Sequence, residues 1–175
     1  MFKKITEDAI LPTRGSKYAA CVDVYANEDV VIEAGETQVV GLGIAISGDF
    51  LKKAVCIDDL VMKDAIDNHI DSFKKSHYLQ LSLRSSLGKK GLIMPHGVGV
   101  VDLDYRDEIK IVIHNPLTTA YFGEGERLEV ALYDKYEIKK GDKIGQITLL
   151  EHKSYLFGID TDEERVGGFG STGER

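Results

Sequence analysis

The sequence predicts an all-β domain, a jelly-roll-like antiparallel sandwich or barrel, interrupted by a helical insertion at about residues 50–75. Three observations predict it. Many short segments alternate apolar and polar residues with the period of two that a half-buried strand requires. Turn signals such as Lys139-Lys140-Gly141-Asp142 separate these segments, and glycine, eighteen against three prolines, is clustered, which also suggests a site built largely from loops and backbone amides. One stretch, Phe50 to Lys75, has neither residue, and its Val55, Met62, Ile66, Ile70 and Phe73 recur at helical steps.

Taken in order, Val30-Val31-Ile32 leads through Glu33-Ala34-Gly35-Glu36 into a strand over Thr37 to Ile46, which predicts a hairpin. The insertion follows as one or two helices, with Asp58 and Asp59 placed to cap an inner start. Asp64, Asp67 and Asp71 fall near one helical face beside His69. A solvated face accounts for them better than a metal site does. Tyr78 to Arg84 then alternates, with Leu79, Leu81 and Leu83 on one face. Glu108 to His114 sets Ile109, Ile111 and Ile113 against Lys110 and Val112. Arg127 to Tyr133 alternates Leu128, Val130 and Leu132, and Lys139-Lys140-Gly141-Asp142 turns into a last strand over Ile144 to Leu150.

The length, 175 residues, suits one domain, 1–175, with the insertion at 48–77 and a C-terminal arm at 161–175. Apolar residues make up 43% and charged ones 29%, an ordinary globular balance. A net charge of −7 and a pI near 5.2 argue against nucleic acid and anionic membranes as partners, while leaving room for a small basic pocket. Two cysteines, Cys21 and Cys56, exclude a disulfide framework and a Cys-rich zinc site, and fit a reducing, cytoplasmic compartment. No run reaches the eighteen apolar residues of a membrane span, and charges at Lys3, Lys4, Glu7 and Asp8 leave no signal-peptide core.

Several letter matches carry no chemistry. Gly168-Phe169-Gly170-Ser171-Thr172-Gly173 spells a dinucleotide fingerprint, but only Glu174 and Arg175 follow it, so no helix can receive a pyrophosphate. No Walker A segment and no zinc-deaminase signature occurs, and no pair of histidines has zincin spacing.

Four segments remain. Arg84-Ser85-Ser86-Leu87-Gly88-Lys89-Lys90-Gly91 offers a guanidinium, hydroxyls and loosened backbone after a strand. Such groups bind phosphate oxygens, and they serve equally as a strand end with a capped turn. His96 to Arg106 runs apolar and Gly-rich, then abruptly acidic at Asp102 and Asp104. A carboxylate there can be a base that orients a water, or simply a hairpin's turn residue. Gly141-Asp142-Lys143-Ile144-Gly145-Gln146 is a turn entering a strand. Arg165 to Gly173 is too Gly-rich to fold alone, yet its Arg165, hydroxyls and Phe169 suit an arm that orders over an anionic, planar ligand.

Preceded by Ala20-Cys21-Val22-Asp23-Val24-Tyr25-Ala26, these segments and their order resemble the five motifs of the trimeric dUTPases, the dUTP diphosphatases. The resemblance implies a jelly-roll-like β domain and a homotrimer with sites shared between subunits, hydrolysing dUTP to dUMP and pyrophosphate with Mg2+. It implies that Asp23 helps hold the hydrated metal on the triphosphate, and that Arg84, Ser85, Ser86 and Gln146 hold phosphate oxygens. A hairpin over Gly97 to Tyr105, including Gly99, would read uracil through its backbone, with Tyr105 against the deoxyribose. Asp102 would orient the attacking water. Arg165, Phe169, Gly170, Ser171 and Thr172 would arrive from a neighbouring subunit, Phe169 stacking on the base. The chain has Cys21 where the family's first motif has glycine, Ser86 where glycine is common, and His96 where many members have asparagine.

Two other readings compete. The related dCTP deaminases share an Arg-Ser-Ser-Leu segment but carry a glutamate base on the strand after the acidic hairpin, and Ile109 to Asn115 contains none. A regulator would instead bind a protein partner through the insertion and keep the nucleotide site as a switch. Exposed apolar residues on the insertion would favour that, and packing on the β core would favour an embellishment.

Overall fold

The computed structural model describes residues 1–48, 63–122, 126–131 and 135–159, with side-chain detail for 1–48, 67–117 and 135–159. The chain is an all-β jelly-roll-like domain in which every strand pairing is antiparallel. Its largest sheet has five strands. The order is β2 (Thr13–Arg14), β3 (Val22–Tyr25), β13 (Lys143–Glu151), β7 (His77–Leu83) and β8 (Gly99–Asp102). Four strand pairs accompany it among the described residues: β1 (Phe2–Lys4) with β6 (Ile44–Ile46), and β5 (Thr37–Gly41) with β9 (Lys110–His114). The others are β4 (Val30–Glu33) with β12 (Lys135–Ile138), and β10 (Leu117–Phe122) with β11 (Glu126–Ala131).

The alternation read from the sequence defines the core. Leu79 and Leu81 of β7 and Ile111 and Ile113 of β9 are buried, joined by Ile109 just before β9. They meet Val24, Ile32, Val40, Leu42 and Ile44 in one cluster. A close approach favours Gly145 within β13. A Cβ there would stand 3.0 Å from Val24 Cγ2 and 3.2 Å from both Ile111 Cδ1 and Leu81 Cδ1.

Three local expectations are corrected. Thr37 to Ile46 is not one strand, because the chain leaves β5 at Leu42-Gly43 before entering β6. Nor do β4 and β5 form a hairpin, although a tight turn joins them. The cause is Asn115, which leaves β9 and seats itself, fully buried, against the ends of both strands. Its Nδ2 donates to Ile32 O at 3.1 Å, its N–H to Glu36 O at 3.0 Å, and its carbonyl accepts from Gly35 N at 2.7 Å. Each arm therefore finds a partner distant in sequence. Likewise Gly97 to Tyr105 is not a paired hairpin: it forms β8, which pairs with β7, and then a turn closed by Tyr105 N–H on Asp102 O.

The insertion contributes α1 (Lys63–Ser76). Residues 49–62, with Val55, Asp58, Asp59 and Met62, lie outside the described residues, as do the side chains of Asp64 and Ile66. The helix packs Phe73 against the core and buries Ile70, and leaves Asp67, His69 and Asp71 exposed. Asp71 pairs with Lys75 one turn on, at 2.9 Å. Lys74 and Lys75 sit at the favourable C-terminal end of the dipole. The chain passes from Ser76 into β7 without a loop.

Candidate active site

Asp23 is the only buried carboxylate among the described residues. It lies mid-strand on β3 and is only 5% exposed. Oδ1 accepts from Gln146 Nε2 at 3.2 Å and pairs with Arg84 Nε at 3.3 Å, while Oδ2 accepts from Lys143 Nζ at 3.0 Å. Burial alone would raise its pKa. The Lys143 and Gln146 hydrogen bonds and the Arg84 and Lys143 charges outweigh that and hold it below the ordinary carboxylate value. Lys143 is pushed up in turn, chiefly by its hydrogen bond to Asp23.

Three adjacent strands build this cluster. Asp23 on β3 stands opposite Gln146 on β13, which stands opposite Ser82 on β7, and Arg84 follows at the end of β7. Lys143 and Gln146 are three residues apart, so a regular strand would point them to opposite faces. A β-bulge intervenes: Lys143 faces Tyr25 and Gly145 faces Val24, so one extra residue is absorbed between them. Both side chains thus reach the face that carries Asp23. Sequence periodicity missed Lys143 for this reason, and no local signal would have disclosed it.

Arg84 leads from β7 into α2 (Ser85–Gly88), a single turn anchored by the buried Leu87. Ser85 and Ser86 are exposed on it, beside a cleft that Arg84, Ser86 and Lys143 help to line.

Asp102 is elsewhere. It ends β8 opposite Tyr78, while Arg84 lies just past the other end of β7. Six residues of strand separate the two levels, about 20 Å at 3.3–3.4 Å per residue. Tyr105 stays with Asp102, half-buried against the core, its hydroxyl donating to Glu108 O at 3.2 Å. Burial first, then the Asp107 and Glu108 carboxylates, push that hydroxyl's pKa up. Gly97 has φ of +76°, a conformation suited to glycine, and is exposed beside His96. Gly99 packs over Leu81 at the start of β8. Arg165, Phe169, Gly170, Ser171 and Thr172 lie outside the described residues.

The structure therefore brings Asp23, Arg84 and Gln146 together, with Ser85 and Ser86 adjoining, and sets Asp102 and Tyr105 apart from them, while Gly99 lies between the two levels, opposite Leu81. Among the described residues no three His, Cys, Asp or Glu side chains gather as a metal cage, and no helix is long and apolar enough to cross a membrane.

Fold and site together define a jelly-roll protein that concentrates cations around one buried carboxylate on an otherwise acidic chain. The family model described as dUTPase matches residues 69–173. A deoxyuridine 5'-triphosphate nucleotidohydrolase of Debaryomyces hansenii is 34% identical over 170 residues, covering 97% of this chain and 84% of that protein. One from Nautilia profundicola is 28% identical, covering 98% and 96%. The fold is shared with a dUTPase from phage phi11 of S. aureus, at a TM-score of 0.58 and 21% identity over 98% of this chain and 97% of that one. The chain belongs to the dUTPase family.

Proposed function

We propose that the protein hydrolyses dUTP to dUMP and pyrophosphate with Mg2+, as a homotrimer whose sites draw on more than one subunit. The observation that carries this reading is the pairing of family membership with a divided site. A cation-ringed carboxylate and a candidate water-orienting carboxylate lie on one sheet, at opposite ends of β7. Their separation of about 20 Å along β7 within one copy supports a site in which Asp102 comes to the substrate from a neighbouring copy.

In this reading Arg84, Ser85, Ser86 and Gln146 hold phosphate oxygens by charge-assisted and hydroxyl hydrogen bonds. Gly97 and Gly99 present backbone to uracil, Tyr105 faces the deoxyribose, and Asp102 orients the water that attacks the α-phosphorus. Arg165, Phe169, Gly170, Ser171 and Thr172 close over the ligand from a neighbour's arm. Asp23 suits an outer, water-mediated role toward magnesium. It is a hard oxygen donor, as the ion prefers, but a single one with both oxygens already engaged. The triphosphate would supply the main ligands, and the ion's contribution when bound is to neutralise phosphate charge. A related structure, a point mutant of the phage phi11 dUTPase, is described as coordinating a structural Mg(II) ion.

A nucleotide-gated regulator acting through the insertion draws less support. The described part of α1 packs Phe73 against the β core, buries Ile70 and presents polar residues outward, as an embellishment does. In the favoured reading the enzyme works in the cytoplasm.

The test offers purified protein and Mg2+ separately with dUTP, dCTP, dTTP and UTP, assaying pyrophosphate and ammonia in parallel. Pyrophosphate from dUTP alone is expected. Ammonia from dCTP would move the chain to the deaminases, and silence with all four would favour the regulator. Co-refolding Asp102→Asn with Arg84→Ala protein then examines the sharing. Mixed assemblies should recover activity that neither variant has alone.

A further inference from the structure

The turn that follows β8 is closed from both ends by Tyr105. Its N–H donates to Asp102 O at 3.1 Å, and its hydroxyl donates to Glu108 O at 3.2 Å. Between those two bonds the ring packs against the core. What ties the far end of this turn to the rest of the domain is the side chain of Glu108.

Glu108 Oε1 accepts from Gly43 N–H at 2.8 Å, at the break between β5 and β6. The chain makes a seat for that carboxylate, since a Cβ on Gly41 would stand only 2.5 Å from the same oxygen. The donor is itself held. Leu42 N–H bonds Ile109 O at 3.1 Å, and Ile109 N–H bonds Ile44 O at 2.9 Å. Three bonds in succession therefore join 42–44 to 108–109, and Glu108 supplies the one that uses a side chain. Its other oxygen stands 3.7 Å from Lys110 Nζ, a loose pair with a lysine side chain 41% exposed. Such a pair adds little, so the bond from Gly43 is the contact that fixes position.

We infer that Glu108 is a positioning residue for sugar selection: seated on Gly43 N–H, it sets the height of the turn that carries Tyr105. The inference rests on the function proposed above, in which Tyr105 faces the deoxyribose. A ring held at one height against the sugar leaves no room for a ribose 2′-hydroxyl, and a shift on the order of 1 Å undoes such a fit.

Two conservative variants separate reach from charge. Glu108→Gln keeps an acceptor for Gly43 N–H and removes the charge, whereas Glu108→Asp keeps the charge and falls one methylene short. Both are small changes at a partly exposed side chain, so thermal unfolding should stay near wild type. The first readout is dUTP hydrolysis with UTP as competitor, expressed as the UTP inhibition constant divided by the dUTP KM. That ratio should fall about tenfold in Glu108→Asp and stay within about twofold of wild type in Glu108→Gln. A merely structural loss would weaken both nucleotides alike, and an unchanged ratio in Glu108→Asp would overturn the assignment. Equal impairment of Glu108→Gln would overturn it too, because charge would then be the operative feature. The second readout uses no nucleotide. Exchange of the Tyr105 amide hydrogen, followed by NMR, should quicken about tenfold in Glu108→Asp and not in Glu108→Gln. Unchanged exchange in both variants would refute the positioning even where dUTP is hydrolysed. Quickened exchange in Glu108→Asp, with no dUTP turnover by the wild-type protein, would instead refute the proposed reaction and leave the seating of the turn intact.

Discussion

The two ends of β7 make opposite demands on their surroundings. At the Arg84 end, a buried carboxylate is saturated by donors from its own chain, and the geometry is complete within one copy. At the other end, Asp102 stands half-exposed on the edge strand of the five-stranded sheet as the described residues form it, next to the turn that Tyr105 N–H closes on its carbonyl. The first arrangement is pre-organised. The second lies at the edge of the sheet as the described residues form it, and natural sheets cover or pair their edges. The difference teaches that charge neutralisation is built within one chain by three neighbouring strands, whereas the proposed water-orienting role of Asp102 calls for a substrate brought to it from outside that cluster.

The largest expected effect breaks the comparison at its open end. Asp102→Asn keeps the shape of the turn, so its thermal unfolding should match wild type. Steady-state turnover of dUTP should fall at least about a hundredfold, the range for losing a positioned base. Near-normal turnover would remove Asp102 from the mechanism.

Asp23→Asn probes the closed end and should do the reverse, costing stability as well as function. Removing the carboxylate leaves Arg84 and Lys143 facing each other. Because those side chains remain 31% and 40% exposed, the loss should be about 1–2 kcal/mol, short of that for a fully buried pair. The wild-type pH profile sharpens this. Asp23 has a folded pKa below its ordinary 3.8. Its contribution is therefore complete above that value and is lost as pH falls through the lower folded value. Denaturant melts from pH 6 down to pH 2 should show this acid-limb loss in wild type and a shallower one in the variant.

The smallest effect lies beneath the cluster. Gly145→Ala inserts a methyl group between Val24, Ile111 and Leu81, and should lower stability by about 1 kcal/mol in thermal unfolding. A larger loss, with Asp23 chemistry disturbed, would show that the bulge beside Gly145 cannot shift without moving Lys143.

Much of this was legible in the residues. Period-two alternation located β7 and β9, because burial on one face of a pleated strand imposes that period wherever the strand pairs. The helical steps marked α1 through Ile70 and Phe73 for the corresponding reason. The family's motifs, read in order, singled out Asp23, Arg84 and Gln146, and the fold brings those three together.

Other features depend on contacts between distant parts of the chain. Lys143 joins Asp23 only because a bulge absorbs one residue, and no local pattern distinguishes a bulged strand from a regular one. The strands β4 and β5 diverge because Asn115, more than eighty residues from Ile32, takes the hydrogen bonds at the ends of both. Glu108 finds Gly43 N–H sixty-five residues away because the break between β5 and β6 presents it there. The separation of Asp102 from Arg84 is likewise a matter of sheet register. By itself the sequence determined which residues are buried and which chemical groups are available, since both follow from local composition and spacing. Only the tertiary structure decided which groups meet, because strand register and turns act over separations that no periodicity spans.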